Sequence, residues 1–229
     1  MSGLFPRPPE VVAPGAVHLP GWLDPDGQAG LVEACHRWAE DGGGFRSPRL
    51  PTRGVMSVGI VCLGWHWMPY RYSRTVDDGD GRTVAEFPAW LGELGRRGVA
   101  DAVALDSRVT GDLSEVDYRP DVALVNWYGP GARMGMHADR EERCPAPVVS
   151  LSVGDSCLFR FGSAAGRGRP WTDVVLESGD LFVFGGPARR AYHGVPKVLA
   201  DTAPPGLRLD HGRLNVTLRE SGMTDQRVA

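Results

Sequence analysis

The chain has 229 residues, with 25 Lys and Arg against 28 Asp and Glu, giving a net charge of −3. That balance excludes nucleic-acid binding by bulk charge and leaves room only for a local basic strip. Apolar residues make up 42% of the chain, enough for one sizeable core, and no shift in composition marks a second, so residues 1–229 read as a single domain. Residues 1–20 read as an irregular lead with one short strand at 16–19. The lead is too rich in proline for a signal peptide, and no apolar run approaches a membrane span. Cys35, Cys62, Cys144 and Cys157 form no CxxC pair and read as reduced thiols. The expectation is a soluble cytoplasmic protein with no membrane partner.

A helix follows, with Asp24 as its cap, Pro25 in its first turn and Leu31, Ala34, Cys35 and Trp38 at helical spacing. Gly42, Gly43 and Gly44 end it, because three glycines continue a helix only at high entropic cost. A second helix is predicted from near Pro88 to Arg97, burying Trp90, Leu91 and Leu94. Beyond residue 119 the chain reads as strands and turns: "DVALVNWY", "APVVSLSV", "SCLFRF", "DVVLE", "LFVFGG" and "RLNVTLRE", each closed by a turn signal. Helices first and strands afterwards predict an α+β, mainly β fold, a two-sheet sandwich or jelly roll with helices on one face. "SAAGRGRP" at 163–170 reads as a basic loop.

Two stretches carry chemistry. In extended chain, residues i and i+2 share a face, so His137 and Asp139 of "MHAD" point into the same space. They are two of the three ligands of the 2-His-1-carboxylate arrangement that holds Fe(II) with open positions. Spacing alone favours an ordinary surface pair. Of the remaining histidines, His193 follows an apolar strand of the same sandwich and is the chosen third ligand. In "RLNVTLR" the residues Arg213, Asn215, Thr217 and Arg219 lie on one face and Leu214, Val216 and Leu218 on the other. The polar face either meets water, as on an edge strand, or lines a polar cavity. Asn126 and Tyr128 end another strand at the same i, i+2 spacing. Two guanidinium forks with neutral donors suit a dicarboxylate, and a dicarboxylate beside an open metal site implies 2-oxoglutarate.

These motifs resemble the AlkB family of Fe(II)/2-oxoglutarate-dependent dioxygenases, which act on alkylated nucleic acid. "NWYGPGARMGMHAD", "YHGV" and "RLNVTLR" match the family's Asn-x-Tyr…His-x-Asp motif, distal histidine and Arg-x-Asn-x-Thr-x-Arg strand, in order, over residues 119–219. "MSVGIVCLGWHWMPYRYS" at 56–73 more weakly resembles the family's nucleotide-covering lid. The resemblance implies a double-stranded β-helix (jelly-roll) core at 119–219, a lid at 46–75, and an N-terminal extension and helix at 1–45 packed on one sheet.

Carried over residue by residue, it implies iron on His137, Asp139 and His193, with molecular oxygen and 2-oxoglutarate as cosubstrates. Arg219, helped by Tyr128, would pair the far carboxylate of 2-oxoglutarate; Arg213 and Asn126 would assist at the chelating end, with Asn215 nearby. Trp65 would stack on the damaged base opposite His137, with core packing as its alternative, and Tyr70 would reach the nucleotide backbone. Arg133, Arg140 and Arg167, joined by Arg71, Arg74 and Arg169, would line a groove for the strand. One departure is Glu141, where the family's bacterial prototype carries aspartate; the longer side chain shifts the carboxylate by more than about an ångström and puts base preference in question. The implied activity is oxidative dealkylation of bases such as 1-methyladenine and 3-methylcytosine, in single-stranded DNA or in RNA, by a monomer, releasing the alkyl group as an aldehyde. A hydroxylase or demethylase of protein or a small metabolite, and a non-catalytic binding module, are the rival readings.

Overall fold

The computed structural model describes residues 7–50, 54–111, 118–209 and 211–223. In chain order these form β1 (Glu10–Ala13), β2 (Ala16–Leu19), helix α1 (Pro25–Asp41), β3 (Gly59–Leu63), β4 (His66–Met68), β5 (Arg71–Ser73), helix α2 (Ala89–Leu105), β6 (Val122–Tyr128), β7 (Met134–His137), β8 (Val148–Gly154), β9 (Ser156–Phe161), β10 (Thr172–Leu176), β11 (Leu181–Phe184), β12 (His193–Leu199) and β13 (Arg213–Arg219). The larger sheet runs β1-β2-β11-β8-β13-β6-β3, the smaller runs β10-β9-β12-β7, and β4 and β5 pair only with each other. This is the expected jelly-roll sandwich with helices on one face.

Alternation along the strands divides the core in two. Val149, Leu151, Val183, Leu214, Val216 and Leu218 face the helices, meeting Leu31, Val32 and Cys35 of α1 and Leu91, Val99 and Ala102 of α2. Between the sheets lie Val148, Phe159, Phe161, Phe182 and Phe184. Each such side chain, fully buried, contributes roughly 1.5–3 kcal/mol. Helix α1 begins where the Asp24 carboxylate accepts from the Gly27 amide at 2.7 Å and ends at Gly42, as its sequence signals predict.

Several expectations are corrected. Helix α2 runs eight residues past Arg97, to Leu105. A Cβ at Gly95 would lie 2.9 Å from Leu218, and one at Gly98 would lie 3.0 Å from Leu181. These glycines therefore let the helix lie close on the sheet. Trp90 is 48% exposed and stacks on Trp38 at 5.8 Å instead of entering the core. β3, inside the stretch expected as lid, is an edge strand of the larger sheet. β13 is no edge: it lies between β8 and β6 with all seven residues buried, so its polar face looks into the sandwich. β12 is a strand beyond the six expected after residue 119. Its ladder to β9 slips between Gly194 and Lys197, around Pro196, which cannot donate to a ladder. Among the described residues no helix is long and apolar enough to cross a membrane.

Candidate active site

Strand pairing builds the proposed metal cluster. β12 runs antiparallel to β7 with His193 opposite His137. Gly194 permits that approach, since a Cβ there would lie 2.7 Å from the Met134 carbonyl oxygen. The two imidazole centroids are 4.5 Å apart. Asp139 follows on the loop, and one ligand atom from each of the three residues lies within 4.8 Å of the others. Each imidazole places Nδ1 3.0 Å from a backbone carbonyl, Gly135 for His137 and Ala191 for His193. A carbonyl accepts only, so Nδ1 carries the proton and Nε2 keeps its lone pair. Those Nε2 atoms stand 3.7 Å and 3.8 Å from the Asp139 carboxylate, too far for hydrogen bonds. Asp139 Oδ2 is buried with no hydrogen-bond partner among the described residues.

Electrostatics fit the same use. Burial would raise the Asp139 carboxyl, but Arg219, His193, His137 and Arg189 outweigh it and hold it below the ordinary carboxylate range. Burial and the neighbouring His137 push the His193 imidazole down to about 4, against the pull of Asp139. An anionic carboxylate and two imidazoles whose Nε2 atoms turn toward it form a donor set for a divalent transition metal.

All the residues expected to hold metal or 2-oxoglutarate line one cavity of about 840 Å³. The expected neighbourhood of Arg219 with Tyr128, however, is not what the strand register gives. β13 is antiparallel to β6 with Arg213 opposite Tyr128 and Arg219 opposite Val122, so Tyr128 and Arg219 are six steps apart along the ladder, roughly 20 Å of strand. Arg219 instead belongs to the metal end, donating from Nη2 to Asp139 Oδ1 at 2.9 Å and from Nη1 to Glu142 at 2.9 Å. Arg213 is 1% exposed. Its Nη2 donates to Ser152 Oγ at 2.8 Å, while Nε and Nη1 are buried without partners among the described residues. A buried guanidinium with open donors awaits an anion. Asn126 donates to Asn215 Oδ1 at 3.3 Å, and Asn215 donates to Ser150 Oγ at 2.8 Å, so this pair orders the cavity floor.

At the mouth, Tyr70 is 79% exposed and sits at the tip of the β4–β5 hairpin with φ +73°. Glu141, Arg133, Arg140 and Arg167 line the same opening; Glu141 Oε2 accepts from the Arg140 amide at 3.0 Å. Arg140 donates to the Tyr192 hydroxyl at 3.3 Å, and the Arg167 guanidinium lies 5.7 Å from the same ring. The other three arginines are engaged elsewhere: Arg71 with Asp77, Arg74 over Trp65 and Arg169 over Trp171.

Trp65 does not line the cavity. It is 7% exposed, donates from Nε1 to Asp121 at 3.0 Å and carries the Arg74 guanidinium 3.7 Å above its ring. The chain turns at Gly64, φ +77°, where a Cβ would lie 1.9 Å from the Asp121 carbonyl oxygen, and that turn sends Trp65 into the core. Trp67 lines the cavity instead. Sequence reasoning also missed Glu142 and Tyr72. The Tyr72 hydroxyl donates to Glu142 Oε1 at 2.5 Å, and Arg189 donates to Glu142 Oε2 at 3.0 Å. The adjacent acids Glu141 and Glu142 carried no sign of which one turns inward.

The 2OG-Fe(II) oxygenase superfamily profile matches residues 15–219. An AlkB homologue described as an alpha-ketoglutarate-dependent dioxygenase, from Caulobacter vibrioides, is 38% identical over 216 residues, covering 93% of this chain and 90% of that protein. The chain belongs to the AlkB family. An Arabidopsis thaliana protein named DNA N(6)-methyladenine demethylase ALKBH1C is 35% identical over 92% of the chain. This AlkB-family chain spans about half the length of the Arabidopsis relatives it matches. The solved structure of OsALKBH1 superposes with a TM-score of 0.81 at 31% identity, covering 93% of this chain and all of that one. The superfamily implies Fe(II) and 2-oxoglutarate. The unpartnered Asp139 oxygen and Arg213 donors show that the residues present fit both groups.

Proposed function

We propose that this chain is an Fe(II)/2-oxoglutarate-dependent dioxygenase that removes alkyl groups from bases in nucleic acid. The observation that carries the reading is the convergence of His137, Asp139 and His193 in one cavity with the open donors of Arg213. His137, Asp139 and His193 hold the metal, and Arg219 orients Asp139 through its 2.9 Å bond. Arg213, with Tyr128 beside it in the ladder, takes the far carboxylate of 2-oxoglutarate. When bound, iron and 2-oxoglutarate supply oxidation by dioxygen, giving succinate and carbon dioxide and hydroxylating an N-alkyl carbon so that it leaves as an aldehyde. The protein positions the base and shields one side of His193 from water: Phe159 and Phe184 pack around it, with centroids at 5.9 Å and 5.0 Å.

The substrate class draws on the relatives' names, among them a DNA N(6)-methyladenine demethylase, and on the cavity mouth. Trp67 takes the stacking place expected of Trp65. Tyr70, Arg133, Arg140 and Arg167 receive the backbone of a single strand, whose base enters without the cost of breaking a duplex. The four free cysteines suit a reducing compartment such as the cytoplasm, where the protein acts as a monomer. The test is incubation of the purified chain with Fe(II), 2-oxoglutarate and single-stranded oligonucleotides carrying 1-methyladenine, 3-methylcytosine or N6-methyladenine, in DNA and in RNA, followed by mass measurement. Loss of methyl mass is expected with the wild type and not with Asp139→Ala. Succinate formation uncoupled from every oligonucleotide would reject the substrate class and leave the oxygenase reading standing.

A further inference from the structure

The β4–β5 hairpin carries Trp67 and Tyr70 to the cavity, yet it joins neither sheet. A two-stranded hairpin is marginal alone in water, so its position depends on what anchors it. Three anchors stay away from the metal end: His66 with Asp78 at 2.7 Å, the Trp67 carbonyl accepting from Arg46, and the Trp67 amide donating to Cys62 Sγ of β3 at 3.4 Å. The fourth does not. Tyr72, directly opposite Trp67 in the hairpin, donates to Glu142 Oε1 at 2.5 Å and accepts from Arg219 Nη1 at 3.2 Å. Glu142 also binds Arg219 at 2.9 Å, and Arg219 binds Asp139 at 2.9 Å. Arg189 closes the group from behind, reaching Glu142 at 3.0 Å and the Asp139 carbonyl at 3.3 Å. One hydroxyl therefore joins the substrate-facing hairpin to the groups that aim a metal carboxylate.

We propose that Tyr72 is a positioning residue that fixes the β4–β5 hairpin to the Glu142–Arg219 pair behind Asp139, so that hairpin docking and metal binding support each other. The second half of this rests on the metal reading given above; the first half does not. Coupling between two binding events is reciprocal. Whatever docking lends to the orientation of Asp139 returns as protection of the hairpin when a metal is held.

The test compares the full chain, wild type and Tyr72→Phe, by amide hydrogen exchange with and without Mn(II), and by Mn(II) affinity from the electron paramagnetic resonance of the free ion. Phenylalanine keeps the ring and removes only the hydroxyl. Without metal, exchange over residues 66–73 should be about tenfold faster in the variant, as for loss of a bond to a charged acceptor, while α1 is unchanged. Mn(II) should slow the hairpin in the wild type and not in the variant. The variant should bind Mn(II) about tenfold more weakly, the lower end for groups that support a ligand. Equal hairpin exchange in the two metal-free proteins overturns the proposal, as does acceleration shared equally by α1, which would make Tyr72 a general stabilising residue. Equal Mn(II) affinities overturn the coupling alone. Failure of Mn(II) to bind the wild type removes the metal reading and the coupling with it, and the metal-free comparison still decides the anchor.

Discussion

Replacing Arg213 by lysine separates the roles of the two β13 arginines. Arg213 is buried, and two of its nitrogens, Nε and Nη1, lack partners among the described residues; a carboxylate taking one of them together with the second hydrogen of Nη2 would gain two charge-assisted bonds. Each is worth about 1.5–3 kcal/mol, so the fork as a whole supplies roughly 3–6 kcal/mol. Lysine keeps the charge and one bond but loses the planar fork, a loss of about 1.5–3 kcal/mol. At 1.4 kcal/mol per decade, 2-oxoglutarate affinity should fall by roughly 10- to 150-fold. Calorimetric titration of 2-oxoglutarate into the Mn(II)-loaded protein measures this directly. Arg213→Met should abolish 2-oxoglutarate binding and, by removing a buried and incompletely paired charge, leave the ligand-free protein as stable as the wild type or more so. Arg219→Lys should act first on Mn(II) affinity, through Asp139. If Arg213→Lys stays within about twofold of wild type while Arg219→Lys loses 2-oxoglutarate and keeps the metal, the assignment drawn from strand register is wrong.

Two further outcomes follow from the same contacts. Trp65→Ala should destabilise the fold by about 3–5 kcal/mol in denaturant unfolding, as for a deleted core aromatic. Trp67→Ala should mainly raise the KM for a methylated oligonucleotide, by roughly 5- to 150-fold if one stacked base is lost; the opposite pattern would restore Trp65 to the substrate. Burial would raise Asp180, but His18, Arg7 and the Glu177 and Gly21 amides outweigh it and hold its carboxyl below the ordinary value. A depressed folded-state pKa gives stability that is present above the unfolded value, about 3.9, and lost as pH falls through the folded one. Asp180→Asn should therefore cost several kcal/mol near neutrality, about 3–5 for a broken buried pair, with the gap to wild type closing in acid. Denaturant midpoints across pH 2–7 should trace that closure; a gap independent of pH would mean the contact is steric.

How far the sequence can be read depends on whether a signal is local. The cap at Asp24, the glycine stop at Gly42 and the alternation of β13 are consequences of adjacent residues, and each appears where expected. The same alternation put Arg213 and Arg219 on the cavity face, but their roles turn on which residue of β6 lies opposite each one, and register is a property of two strands. Trp65 and Trp67, two apart, would share a face in unbroken strand; the bend over Gly64 and Trp65, where the nearby Asp121 carbonyl leaves no room for a Cβ, separates them. The length of α2 was hidden for the converse reason. Gly95 and Gly98 look like interruptions until Leu218 and Leu181 are seen pressing on them.

Charge gives a reason for the proposed metal and dicarboxylate sites to share one cavity. The buried charged groups in and directly behind it are Arg189, Arg213 and Arg219 against Asp139 and Glu142, so three cations face two anions and these side chains leave an excess of +1. A divalent cation alone would raise that to +3, and a dicarboxylate alone would invert it to −1. Together they leave it at +1. Unbalanced charge is costly in a buried setting, so each ligand lowers the cost of the other, and the coupling is reciprocal. Arg219 spends both terminal nitrogens inside the protein, on Asp139 and Glu142, and leaves only Nε open among the described residues, whereas Arg213 keeps two donors open. The surplus positive charge therefore sits at the end of β13 where an outside anion can use it, away from the carboxylate that must hold the metal.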